Sequence, residues 1–248
     1  MNCLELFSGT GSVRKVCEEL GWNSVSVDMI LPADHQVNIL DFDYKQYPKD
    51  YFSVIWASPP CVSYSALKNC WIGQKLKDGT IFTKEQRDKD MDDGDKLVAK
   101  SLEIIDYFKP DLWCMENPAT GRLKSRDVVK GLPFYDVDYC MYCDWGYKKP
   151  TRIWTNKKDW TALRCNKNCG NMIEIPTDAL RKHKVNVGEL HSTETIKENG
   201  KNWIVGNHHK GTLGGSHGKH TQKFIGSGTD RLDRYRVPPN LILSLFLD

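Results

Sequence analysis

Apolar and polar positions follow two rhythms over the first 156 residues. Residues 2–7 (NCLELF) are a short apolar run that breaks at Ser8-Gly9-Thr10-Gly11-Ser12, which predicts a buried strand and a tight turn. Over residues 12–20, Val13, Val16, Cys17 and Leu20 recur three and four apart, a helical spacing stopped by Gly21. Residues 23–28 alternate as a second strand, and 51–57 (YFSVIWA) form a third that runs into Pro59-Pro60. A helix is predicted over 95–108, with Asp95 at its start and Pro110 beyond its end. Strands follow at 111–115, 135–142 and 151–155. The long polar stretch 67–94 reads as a mobile loop, expected to close over a bound ligand.

Strand and helix alternate throughout residues 1–156, so this part is expected to be one α/β domain on a parallel-rich sheet. The alternation stops there. Residues 157–228, rich in Lys, His, Gly and Asn, read as a small loop-rich subdomain, and 229–248 as an apolar, helix-like return to the core.

Composition narrows the class. Of 248 residues, 40% are hydrophobic and 27% charged, which suits a globular chain and argues against collagenous and disordered classes. No apolar run approaches the roughly 20 residues of a membrane span. Asn2 and Glu5 interrupt the start and no basic stretch precedes an apolar core, so no secretory leader is expected. The nine cysteines are an odd number, several within apolar runs, which fits buried thiols in a reducing intracellular compartment. Residues 157–228 hold twelve Lys/Arg against six Asp/Glu, and six of the seven histidines. A basic final third on a near-neutral body points to a polyanion partner.

Four strand ends carry candidate chemistry. The turn Phe7–Ser12 could bring backbone close to a ligand at a helix N-terminus, although a tight turn serves structure alone equally well. Asp28 ends the next strand, where an acidic residue would hold a ribose diol. Cys61, in Ser58-Pro59-Pro60-Cys61, stands at a strand's carboxyl end and could act as a nucleophile or as a buried structural thiol. Glu116, in Glu116-Asn117-Pro118, follows an apolar strand, where a carboxylate is costly without a purpose. Arg152, in Thr151-Arg152-Ile153-Trp154, adds a cation to another strand, unless it forms a surface ion pair.

FSGTGS, SPPC, ENP and TRIW, in that order, resemble the motifs of the cytosine-C5 DNA methyltransferase family. The strings SPPC, ENPATGRL and KKPTRIWTN are similar to those of its compact phage and viral members. The resemblance implies a Rossmann-like S-adenosylmethionine-dependent methyltransferase sheet, with residues 157–228 as target-recognition region. It implies a Cys61 thiolate attacking C6 of a flipped cytosine in double-stranded DNA, Glu116 holding N3 and the amino group, and Arg152 stabilising the base. The cofactor would be S-adenosyl-L-methionine, held by Phe7, Ser8, Gly9 and Gly11, with Asp28 at its ribose, Pro60 lining its adenine and Asn38 at the adenine amino group. Asp41 is a rival for that last role.

The pattern departs from the family at Pro118, where a Val is usual, and at Pro150, where the first of two arginines is usual. A C-terminal Gln-Gly-Asn motif is also missing, only Val237-Pro238 surviving. Two rival readings are an N4-cytosine or N6-adenine amino methyltransferase, which Cys61 in place of an aromatic residue disfavours, and a non-catalytic homologue. A monomer in host cytoplasm or nucleus, without membrane attachment, is expected. Cys140-x2-Cys143 and Cys165-x3-Cys169 have zinc-type spacing, with His183 or His191 as spare ligands. Reduced structural thiols are the favoured alternative, so no metal site is assigned.

Overall fold

The computed structural model describes residues 1–145, 148–166, 168–175, 195–198, 201–204, 206–209 and 235–247. Six strands form the main sheet: β1 (Asn2–Leu6), β2 (Asn23–Val27), β3 (Val54–Ala57), β4 (Leu112–Pro118), β5 (Phe134–Asp138) and β6 (Pro150–Thr155). Their order is β2-β1-β3-β4-β6-β5. The first four are parallel, while β6 runs antiparallel to both β4 and β5. The α/β class and the parallel-rich sheet are as the alternation predicts.

Period-two alternation sends successive side chains to opposite faces, and each face builds its own core. Leu4, Ile55, Ala57 and Met115 pack under helix α2 (Lys84–Phe108). Cys3, Val54, Trp56 and Cys114 pack under α1 (Ser12–Glu19) and α3 (Pro239–Leu247). The C-terminal helix does return to the sheet: Phe246 stacks on Trp22 at 5.3 Å, and Lys157 Nζ donates to Leu245 O at 2.7 Å. Trp160, beyond the expected boundary at 156, joins this core, and Cys165 is also buried. Within 157–228, β7 (Met172–Ile175) pairs with β10 (Gly206–His209), and β8 (Thr195–Glu198) pairs with β9 (Lys201–Ile204). Beyond Ile175, the parts of the basic segment outside these strands, with His183, His191, Lys182 and Lys210, lie outside the described residues. No helix among the described residues is long and apolar enough to cross a membrane.

The expected loop 67–94 is corrected. Ala66–Trp71 forms a 3-10 turn, and from Lys84 onward the chain is already α2, a helix of 25 residues. Thr83 Oγ1 accepts from Gln86 N at 3.2 Å and caps it, and the pairs Lys84–Asp88 and Lys89–Asp93 support its exposed side at i,i+4. Its buried stripe is Arg87, Met91, Gly94, Val98, Ser101, Ile105 and Phe108. The spacing alternates four and three, but Arg87, Gly94 and Ser101 hide it from a hydrophobicity count. The strand expected over 135–142 stops at Asp138, leaving Cys140 and Cys143 in the turn beyond it.

Gly94 marks where α2 meets the chain after Cys61. A Cβ there would lie 2.9 Å from Ser63 Cβ and from the Tyr64 ring. On an open helix face Gly→Ala stabilises by about 1 kcal/mol. Here Gly94→Ala should instead destabilise by about 1–3 kcal/mol, the range for overpacking. Urea melts of the two proteins give the sign directly.

Candidate active site

Parallel pairing sets Leu6, Val27, Ala57 and Met115 in one row across four strands. The next residues, Phe7, Asp28, Ser58 and Glu116, therefore share one rim at the carboxyl ends of the strands, where open α/β sheets bind ligands. Adjacent strands lie about 4.8 Å apart, so Asp28 and Glu116, three strands apart, sit roughly 14 Å from each other along the rim.

The β1/β2 half is built from backbone. Phe7, Gly9 and Gly11 have φ of 58°, 52° and 67°. The non-glycine Phe7 is strained there, as residues at ligand clamps often are. Asp28 Oδ2 accepts from Gly9 N at 2.9 Å, and Oδ1 accepts from Ile30 N and Leu31 N at 2.8 Å each. A carboxylate offers about four acceptor positions, so capacity for a hydroxyl is left. Ser8 Oγ is buried with no partner among the described residues. These groups fit the ribose and polar end of a nucleoside-type cofactor. Asn38 stands further along, half-buried, its Oδ1 accepting from Leu40 N at 3.0 Å to cap a short turn. Asp41 and Pro60 are exposed.

Glu5, within β1, is a second acidic residue in an apolar strand, and the cost argument made for Glu116 holds for it too. It is 3% exposed. Its Oε1 accepts from Val13 N at 3.1 Å and Oε2 from Arg14 N at 3.0 Å, so a carboxylate from β1 caps α1 where Gly11 has no side chain to do so. Burial pushes its pKa up to about 7, against the lowering effect of those two N–H groups.

At the β3/β4 half, Cys61 opens a 3-10 turn (Cys61–Tyr64). Three neighbours fix this loop. Asn117 Nδ2 donates to Pro59 O at 2.8 Å, and Arg122 N donates to Tyr64 O at 2.9 Å. Arg87, from α2, donates to Ser63 O, to Ser65 O at 3.2 Å and to Asn69 Oδ1 at 3.3 Å. Glu116 is 6% exposed. It accepts from Tyr139 Oη at 3.0 Å and pairs with Lys149 Nζ at 3.3 Å. The half-buried Cys61 thiol is pushed up by burial first and then by Glu116, while Lys149 pulls it down. Thiol, carboxylate and ammonium thus form one electrostatic unit.

Arg152 is not part of it. It pairs in register with Asn117 and so lies on the opposite face from Glu116. There it donates to both Asp136 oxygens, at 2.7 and 2.9 Å, and covers the Phe134 ring at 3.5 Å. It lines an open cavity of about 500 Å³ with Lys124, Arg126 and Lys130. The cation beside the carboxylate is Lys149, one residue before the strand, a position the linear motif does not single out.

The α/β sheet thus carries a backbone cradle at β1/β2 and, two strands away on the same rim, a thiol–carboxylate pocket. Over 249 residues, 99% of this chain and 98% of the relative, the protein is 34% identical to a Frog virus 3 (isolate Goorha) protein named a probable DNA (cytosine-5)-methyltransferase. The chain belongs to the DNA (cytosine-5)-methyltransferase family. No family model matches it. Among solved structures it is similar to the Entamoeba histolytica methyltransferase EhMeth (TM-score 0.45, 17% identity, covering 74% of this chain and 65% of that one). It is also similar to the S. pombe Dnmt2 methyltransferase (TM-score 0.36, 10% identity, covering 80% and 61%). The chain spans less than two thirds of either.

Two measurements check these electrostatics. A Glu whose folded pKa stands above its unfolded value takes up a proton on folding. Stability should therefore fall as pH rises from about 4.5 to about 7, by about 3 kcal/mol, and then level off. Glu5→Gln should flatten that slope in melts run across this window. Alkylation of Cys61 by iodoacetamide, followed by peptide mapping, should slow in Lys149→Met and quicken in Glu116→Gln, because the two charges act on the thiol with opposite sign. Equal rates in all three proteins would dissolve the unit.

Proposed function

We propose that the protein methylates C5 of a cytosine in double-stranded DNA through a covalent bond between Cys61 and C6 of the base. The observation that supports this best is the convergence of Cys61, Glu116 and Lys149 at the carboxyl rim of β3 and β4. A thiolate is needed for attack at C6, and the raised pKa of Cys61 means that its proton must leave as the base docks. The buried Glu116, oriented by Tyr139, holds N3 and the exocyclic amino group, which favours the electron-rich enamine after Cys61 adds. Lys149 takes the role that the family pattern suggests for Arg152: a fixed cation beside thiol and base. Arg152 itself braces the β5–β6 hairpin through Asp136.

The cofactor assigned to the other half of the rim is S-adenosyl-L-methionine. When bound, it supplies an electrophilic methyl group. Asp28 would accept from the ribose hydroxyls and Ser8 and Gly9 would line the polar end, with Phe7 and Pro60 as apolar walls. Asn38 Oδ1 has a second lone pair for the adenine amino group. To finish the turnover, a base takes the C5 proton, the C6–S bond breaks and its electron pair returns to Cys61. The duplex must release its cytosine for this pocket, and the basic balance of residues 157–228 supports phosphate contacts that hold the DNA in register.

The protein should form a denaturation-stable adduct with duplex DNA containing 5-fluorocytosine, in which the departing C5 proton is replaced by fluorine. Cys61→Ser should lose the adduct and all methyl transfer while still binding S-adenosylmethionine by calorimetry. Lys149→Met should lower turnover about a hundredfold, the scale for losing one preorganised charge partner. Arg152→Met should cost more in folding stability than in turnover. Methyl transfer to an exocyclic amino group without any adduct would overturn the covalent mechanism.

A further inference from the structure

Three thiols that the reaction does not use meet beside the active site. Cys140 lies in the turn after β5 (Tyr139–Met141), and Cys165 and Cys169 lie in the chain after β6. Their Sγ atoms are all within 4.8 Å of one another, with Cys140 and Cys165 buried. A tetrahedral ion with Zn–S bonds of about 2.3 Å separates its sulfurs by about 3.8 Å, so these thiols need close by only about 1 Å. A fourth thiol is near in chain: Cys143, three residues after Cys140, whose Sγ donates to Tyr139 O at 3.2 Å.

The backbone around these residues is fixed by one buried amide. Asn171 Nδ2 points to the carbonyls of Cys140, Cys143 and Cys169 at 2.9, 2.8 and 3.3 Å. Cys165 N donates to Asp138 Oδ2 at 2.9 Å, and Lys148 Nζ to Cys165 O at 3.2 Å. Asn171 thereby ties together both cysteine pairs, Cys140-x2-Cys143 and Cys165-x3-Cys169, before any ion is considered. Supporting hydrogen bonds of this kind are what orient metal ligands.

We propose that Cys140, Cys143, Cys165 and Cys169 bind one structural zinc ion. The four thiols release their protons to solvent and give a complex of net charge −2, which Lys148 and Arg164, both paired with the buried Asp138, offset in part. Cys143 exchanges its bond to Tyr139 O for the metal. The ion fastens the segment 160–171 to the turn that begins with Tyr139, the residue that donates to Glu116. It is a clamp on the catalytic turn, with no part in bond making, and it stands at the root of the region assigned to target recognition.

The test uses the full chain, expressed with zinc and purified without chelator. Elemental analysis should find one zinc per chain, and Cys140→Ser and Cys165→Ser should each lose it, while Cys70→Ser, exposed and distant in sequence, should keep it. Since those variants could misfold, wild-type protein refolded with cobalt provides a second reading. Tetrahedral thiolate coordination should give intense d–d bands and a sulfur-to-cobalt charge-transfer band. Chelation of the wild-type protein should lower its melting temperature. Metal-free wild-type protein, iron in place of zinc, a disulfide among the four cysteines, or zinc retained by Cys140→Ser/Cys165→Ser would each overturn the proposal.

Discussion

Arg87 carries a charge into the interior, where it is 2% exposed, and a guanidinium there is tolerable only if its N–H groups are met. None of its three hydrogen-bond acceptors is a carboxylate. They are the carbonyls of Ser63 and Ser65 and the amide oxygen of Asn69, all in the segment after Cys61. Burial accordingly lowers its pKa, with Arg122 adding to the effect. The loop that presents the nucleophile folds down onto α2, because among the described residues it supplies every hydrogen-bond acceptor of the cation. Gly94 leaves the space for it, and Tyr64 Oη, donating to Asp95 at 2.9 Å, ties the same loop at the next residue of the helix. The position of Cys61 is therefore determined largely from outside its own strand.

What could be read in the chain follows from the range of the physics involved. Strands β1, β3 and β4 are apolar runs ended by turn residues, and local pattern is enough to find them. Cys61, Glu116 and Asp28 are strand-end residues, so finding the strands also finds the rim. The beginning of α2 is hidden because Arg87 and Gly94 occupy buried positions for a tertiary reason: both meet the Cys61 loop. The face taken by Arg152 depends on its register against β4, a pairing between residues far apart in the chain. The roles of Lys149 and Tyr139 depend on the turn after β5, which folds back over Glu116.

The electrostatics of the rim are divided in a way that suits two ligands of different charge. Toward β2 the carboxylate of Asp28 is spread over three backbone N–H groups, so its charge is diffuse and acceptor capacity remains. Toward β4 the carboxylate of Glu116 is concentrated by burial and matched by one phenol and one ammonium. The first arrangement suits neutral hydroxyls, and the second suits a group that gains or loses charge during reaction. Both depend on segments outside the sheet: the loop after Asp28 in one case, the turn with its cysteines in the other.

The row formed by Leu6, Val27, Ala57 and Met115 also fixes what the protein can change about its own length. Side chains alternate faces along each strand, so one residue inserted or deleted within β4 would carry Glu116 under α2 and turn Asn117 into the pocket. Substitutions on the rim cost a contact, whereas a one-residue slip exchanges its two sides. The strands are in this sense a fixed reading frame. Length can change without this exchange only in the connections between strands.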